Sequence, residues 1–317
     1  MRPCPATTSG TPGDEARSAK PPRLAAMLVT PTWLADHLHD PDLVVVDLRW
    51  DEQGRGRVRY EEGHIPGAHF LDWASDLVDP DHRVAFMLAP PERFAAQLES
   101  CGITDGSVVV AYADGGHSGP FRLWWGSKTY GHDDQVRILD GGLEAWVDEG
   151  RPLSSEIPKA RRGDWTPRPR PGLVASSQDV AAAREQADTL VLDSREPSKF
   201  RGETVWFETG EIPAGPDGVA RTPRGELRAG RIPWARSVPS QQLYRPDLTM
   251  KSPAELRDLF AELEATPECR VITYCGVGIS ASALLYALAR SGFEDVSLYD
   301  AGWDEWGRDP ELPVARG

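Results

Sequence analysis

The chain has 317 residues, 40% of them hydrophobic, and a net charge of −14 from 49 acidic and 35 basic side chains. That length suggests two domains of ordinary size, each able to bury a core. An acidic balance of this kind argues against general nucleic-acid binding, and no apolar run approaches the roughly 20 residues of a membrane span.

In chain order, residues 1–23 are rich in Pro, Thr, Ser and Gly and lack the apolar stretch of a signal peptide. They are expected to form a disordered extension. Residues 24–150 follow as a first domain. Leu43–Asp47 and Ser107–Tyr112 read as strands, Pro91–Ser100 and Phe121–Tyr130 as helices, and Val136–Leu139 as a further strand. Residues 151–172 are Pro/Arg-rich, with Lys159, Arg161, Arg162, Arg168 and Arg170, and read as an extended linker whose charges are solvated or pair with the acidic surface. Residues 173–317 form a second domain. Its strands are Leu190–Asp193, Arg270–Tyr274 and Val296–Tyr299, and its helices Pro253–Ala265 and Ser280–Ser291. Alternating strands and helices predict an α/β fold, a parallel sheet covered on both faces.

The second half repeats the first. Leu43–Arg49 returns as Thr189–Arg195, Gly63–Ala68 as Gly230–Ala235, Val109–Tyr112 as Val271–Tyr274, and Leu139–Trp146 as Tyr299–Trp306. The second copy lags by 146 residues at Asp193, 167 at Pro233, 162 at Tyr274 and 160 at Trp306. The jump locates an insertion between Arg201 and Gly230. Its arginines, Arg221, Arg224 and Arg228, either fold over a pocket or belong to a mobile loop, and the Pro/Gly content favours the loop.

One segment carries chemistry. The strand Val271–Tyr274 ends on Cys275, and Gly276-Val277-Gly278-Ile279-Ser280 leads into an Ala/Leu-rich helix. A thiol at a strand-to-helix turn faces backbone N–H groups without helical partners, and these favour thiolate over thiol. A merely structural cysteine would not need glycines at both Gly276 and Gly278, which supply the freedom to aim those amides inward. Ser280 caps the helix or donates to whatever the thiol carries. The four cysteines, Cys4, Cys101, Cys269 and Cys275, show no CxxC or CxxH pairing, so neither a metal site nor a disulfide framework is expected, no cofactor is expected, and Cys101 and Cys269 read as inert. Cysteine phosphatases need an Arg six residues after the cysteine; Ala281 stands there. A free reactive thiol fits a reducing cytoplasm.

These motifs resemble the tandem-domain sulfurtransferases of the rhodanese family, which include thiosulfate and 3-mercaptopyruvate sulfurtransferases. The resemblance spans about Leu24 to Arg316 and rests on Asp193-Ser194-Arg195, Lys199-Phe200-Arg201-Gly202, the Gly-His-Ile-Pro-Gly-Ala element, the loop Cys275–Ser280 and Asp300-Ala301-Gly302-Trp303. It implies two tandem rhodanese-like domains, an inactive first copy and a catalytic second, with the site between them. Ala113 stands opposite Cys275, so the first copy has no thiol at this position. The family's chemistry implies a Cys275 persulfide, a small-molecule sulfur donor, and cyanide, a thiol or a thioredoxin-like protein as acceptor. Basic loops resemble thiosulfate enzymes, and Cys-Gly-Ser-Gly-Val-Thr loops resemble mercaptopyruvate enzymes. This loop is nearer the second type but has Val277 in place of the serine, while the His and Asp that act with that serine fall near Phe86 and Ala74. Lys199 matches the family's donor-binding Arg and reads equally as a surface charge. Arg195 is expected to have a structural pairing. The expectation is transfer from thiosulfate, with 3-mercaptopyruvate as the alternative donor and a non-catalytic persulfide carrier or sulfur-sensing module as the alternative of another class. The tryptophans Trp124, Trp125, Trp146, Trp303 and Trp306 are expected to pack cores and the interdomain contact.

Overall fold

The computed structural model describes residues 27–159, 162–207 and 210–317. The expected N-terminal extension lies outside the described residues. The first half runs β1 (Leu28–Val29), α1 (Pro31–His37), β2 (Leu43–Asp47), α2 (Gly56–Glu62), β3 (His69–Phe70), α3 (Pro91–Ser100), β4 (Val108–Tyr112), α4 (Gly119–Thr129), β5 (Val136–Leu139) and α5 (Gly142–Asp148). Its sheet is parallel throughout, in the order β1-β5-β4-β2-β3.

The second half runs α6 (Ser177–Ala182), β6 (Thr189–Asp193), α7 (Pro197–Arg201), β7 (Thr204–Phe207), β8 (Gly210–Pro213), β9 (Val219–Thr222), β10 (Gly225–Arg228), β11 (Arg236–Ser237), α8 (Pro253–Ala261), β12 (Arg270–Tyr274), α9 (Ile279–Arg290), β13 (Val296–Tyr299) and α10 (Gly302–Trp306). Its parallel sheet has the order β11-β6-β12-β13, and a bridge from Val174 to Leu298 occupies the place that β1 takes in the first sheet. The strands are near-continuous Val, Ile and Leu because helices cover both faces. α8 starts where Ser252 caps the Glu255 amide and Pro253 takes the first turn. It stops at Ala261, short of the predicted Ala265.

The repeated motifs meet in each sheet as the same polar cluster. Arg49 grips Asp47 and the Gly63 carbonyl, and the Tyr112 hydroxyl donates to Asp47 at 2.6 Å. Arg195 grips Asp193 and the Gly230 carbonyl beside Tyr274. The expected structural pairing of Arg195 is therefore present.

The insertion differs from its expectation. It folds as two antiparallel hairpins, β7–β8 and β9–β10. Arg228 holds them down by donating to the carbonyls of Trp306, Gly307, Asp309 and Leu312. The linker arginines do pair with acidic surface: Arg168 with Asp105 and Arg170 with Asp133.

The halves meet through α4 and α9, where the Tyr286 ring takes Phe121 and Trp124 edge-on at 5.0 Å each. Beside that contact Arg122 forms a salt bridge with Asp300 at 0% and 1% exposure. Two further bonds cross the interface there, Arg122 donating to the Phe86 carbonyl at 2.6 Å and the Leu88 amide donating to Asp300 at 2.8 Å, while Arg122 Nε has no partner among the described residues. A pseudo-twofold counterpart exists, in which the Met250 amide donates to Asp140 at 2.8 Å. Phe86 and Leu248, each two residues before the donating amide, are both left-handed, with φ of 60° and 63°. Each half thus lays one loop across the other.

Removing one member of a buried ion pair leaves the other charged and unsolvated. Arg122→Ala should lower the urea unfolding midpoint by the equivalent of about 3 kcal/mol, and Arg122→Met should not restore it. A midpoint within about 0.5 kcal/mol of wild type would show that the pair does not hold the halves together.

Candidate active site

Cys275 follows β12 directly and is 4% exposed. It lies at the carboxyl end of a central strand, where open parallel sheets place their sites. The first turn of α10 pins the loop from behind: the Trp303 amide donates to the Cys275 carbonyl at 2.8 Å and the Asp304 amide to the Gly276 carbonyl at 3.0 Å. The loop's carbonyls are thereby used, while its amides from Gly276 to Ser280 have no hydrogen-bond partner among the described residues. The twelve-residue helix α9 adds the positive end of its dipole. This set of donors suits an anionic sulfur.

Of the two loop glycines, the structure requires one. Gly278 is left-handed at φ 80°, and a Cβ there would stand 2.1 Å from Asp300 Oδ1. Gly276 is not left-handed, and a Cβ would meet only the Trp206 ring at 3.9 Å. Ser280 does not cap α9, whose N-cap is Gly278. Its hydroxyl lies 2.8 Å from Ser194 Oγ, which reaches the Tyr274 carbonyl.

A cavity of about 410 Å³ opens over the thiol between the two halves. The first half contributes Trp50, Glu52, Trp73 and His117; the second contributes Ser194, Lys199, Trp206, Glu211, Trp303 and the loop residues Cys275, Gly276, Val277, Ile279 and Ser280. Trp206 and Glu211 come from the β7–β8 hairpin, so the insertion builds a wall of this cavity. Aromatic rings run in series from Trp50 to Trp73, Phe86 and Trp206, with centroid spacings of 5.1, 5.6 and 5.8 Å.

Lys199 is brought to the cavity but is not free. Its Nζ bonds Glu196 at 2.6 Å and also Glu211, at 11% side-chain exposure. Burial lowers its pKa, and the hydrogen bonds and charges of Glu196 and Glu211 raise it further than burial lowers it. Lys199 therefore stays charged with its charge neutralised. Among the other thiols, burial pushes Cys101 up to about 11. Cys269, buried beside Thr266, is not a free thiol: contrary to the expectation from its spacing, it is disulfide-bonded.

The first half holds the same loop without the thiol. Ala113 replaces Cys275, its carbonyl accepts from the Leu143 amide at 2.9 Å, and Gly116 is left-handed like Gly278. Leu248 closes it, and only about 20 Å³ remains there. The Phe86 ring lies between those of Trp73 and Trp206, whereas His82 borders a different cavity. His117, Trp50, Glu52, Trp206 and Glu211 were not singled out from the sequence.

The rhodanese-like domain family matches twice, at residues 30–149 and 176–309. The chain belongs to the tandem-domain rhodanese sulfurtransferases. This rhodanese is 33% identical over 297 residues to the sulfur carrier protein TtuD of Thermus thermophilus, covering 92% of this chain and 97% of the relative. It is 33% identical over 298 residues to a putative thiosulfate sulfurtransferase of Haloferax volcanii, covering 92% and 96%. The solved structure of SseA from Escherichia coli, titled as a 3-mercaptopyruvate sulfotransferase, superposes on the rhodanese with a TM-score of 0.74 at 29% identity, over 87% of this chain and 98% of that one.

Because Gly278 combines a left-handed φ with a close approach to Asp300, Gly278→Ala should destabilise the loop. Cys275 alkylation by iodoacetamide should change at least about fivefold relative to wild type as its amide setting is lost. Equal alkylation rates would show that the loop geometry does not govern the thiol.

Proposed function

We propose that the protein transfers sulfane sulfur from thiosulfate to a thiophilic acceptor, cyanide or a thiol, through a persulfide on Cys275. The observation that carries this reading is the Cys275 thiol set among unpartnered amides at the start of α9, beneath a cavity walled by both halves. The thiolate attacks the outer sulfur of the donor, the donor leaves as sulfite, and the amides from Gly276 to Ser280 hold the anionic terminal sulfur. Val277 and Ile279 supply apolar walls that exclude water. The acceptor then takes the sulfur, and Cys275 returns to thiolate. The first half lacks a thiol at Ala113 and serves as the opposite wall. A free Cys275 thiol fits a reducing compartment such as the cytoplasm, where a thioredoxin-like protein would also serve as acceptor, although Cys269 is disulfide-bonded.

Thiosulfate is a dianion, and Lys199 is the lysine on the cavity wall that would meet it. A second reading takes 3-mercaptopyruvate as donor. It is favoured by the absence of any cation between Cys275 and Ser280 and by the neutralisation of Lys199 by Glu196 and Glu211. A third reading is a persulfide carrier that hands sulfur to a partner protein, in line with the printed name of the Thermus relative.

Steady-state rates with thiosulfate and cyanide should give parallel double-reciprocal lines, and Cys275→Ser should abolish transfer. Lys199→Ala should raise KM for thiosulfate on the order of tenfold with kcat little changed. Intersecting lines would contradict the covalent route, and an unchanged KM would remove Lys199 from donor binding. A larger kcat/KM with 3-mercaptopyruvate would select the second reading.

A further inference from the structure

We infer that His117 is a catalytic hydrogen-bond donor to the departing group of the sulfur donor, supplied by the loop that has no thiol of its own. This rests on the persulfide reading above and assigns a residue to its first half-reaction.

His117 belongs to the loop Ala113–Ser118 of the first half and stands where the live loop has Ile279. It is the one imidazole that lines the Cys275 cavity among the described residues. Its tautomer is fixed by geometry. The Gly119 amide donates to His117 Nδ1 at 3.1 Å, and a backbone N–H can only donate, so Nδ1 carries no proton. The neutral ring therefore holds its proton on Nε2. That atom has no partner among the described residues, and it is not among the enclosed, unpaired ones. Packing seats the ring: Trp50 and Trp73 lie 6.2 and 6.4 Å from it, and a Cβ on Gly119 would come within 3.2 Å of Nδ1. Burial pushes the imidazole down to about 4, with Asp114 raising it and Arg59 lowering it as smaller effects. The ring is thus uncharged at neutral pH, and its one proton sits on Nε2.

The two cations that line the cavity are both engaged. Lys199 is held by two carboxylates. Arg195 is spent on Asp193 and Gly230. Val277 and Phe86 offer no polar atom.

The step balances as follows. Cys275 Sγ, as thiolate, forms a bond to the sulfane sulfur. The donor's S–S bond breaks, and its electron pair leaves on sulfite. With 3-mercaptopyruvate the C–S bond breaks instead, and the pair leaves on the enolate of pyruvate, which takes a proton from solvent. In either case negative charge grows on an oxygen of the departing group, and His117 Nε2–H donates a hydrogen bond to it without losing the proton. A fixed neutral donor of this kind needs no reorganisation as the charge develops. In the second half-reaction the leaving group is the Cys275 thiolate, so His117 has no part in it.

The two half-reactions separate the claim from a structural role. Loading from thiosulfate and from 3-mercaptopyruvate, and unloading by cyanide, are measured in single turnovers on the full chain. His117→Ala should slow loading on the order of 100-fold and leave unloading within about twofold. His117→Gln, which keeps an N–H donor, should recover about tenfold of the loss. If the Ala variant does not fold, His117→Phe fills the space without a donor and takes its place. Loading and unloading slowed alike, unchanged loading, or no recovery with Gln would each overturn the inference. Wild-type protein that loads from neither donor would instead sink the persulfide reading, and this inference with it.

Discussion

The buried Arg122–Asp300 pair is the interaction on which the site depends. Neither charge has water to solvate it, so each must keep its partner, and the pair holds the halves in one relative position. Asp300 does more than pair. Its carboxylate sits against Gly278, leaving no room there for a side chain, and it accepts the Leu88 amide from the other half. Arg122 meanwhile takes the Phe86 carbonyl. The loop Cys275–Ser280, the first half's covering loop and the helix α4 are therefore joined at one point. The cavity over Cys275 exists only while that point holds.

The two copies share a register and have divided the work. The arginine–aspartate–tyrosine cluster, the left-handed glycine of the loop and the clamp on the loop carbonyl recur in both. Only the second copy has a cysteine in this loop, and only it carries the paired hairpins that bring Trp206 and Glu211 to the cavity. The first copy, closed by Leu248, has become a wall made of Trp50, Trp73 and His117. The cavity is lined by both halves, so neither builds it alone.

Much of this was legible in the sequence because it is local. The β-branched strand ending on Cys275, the glycine of the turn and the repeated motifs are read within a few residues of one another, and the repeats carry the fold with them. A structural pairing of Arg195 was expected, and its partner Asp193 is an i, i+2 contact. What escaped was long-range or masked by composition. The hairpins lie in a stretch rich in Pro, Gly and Arg that looks like a loop, although the turn Thr222–Gly225 and the run Thr204–Phe207 signal strands in hindsight. Glu211, far along the chain, neutralises Lys199, and no local pattern announces that. Gly276 resembled a required glycine until its backbone proved ordinary. His117 sits in a loop without a nucleophile, where nothing nearby suggested chemistry. Aligning Phe86 with Leu248 at the same spacing as Tyr112 with Tyr274 would have exposed the crossed loops from sequence alone.

The central claim is that Cys275 receives and gives up a sulfur atom. Its most direct test is an intact mass spectrum of reduced protein after incubation with thiosulfate or 3-mercaptopyruvate, repeated after cyanide. The account predicts a gain of about 32 Da that maps to Cys275 and is removed by cyanide. No gain with either donor, or a gain that maps to another residue, would contradict it.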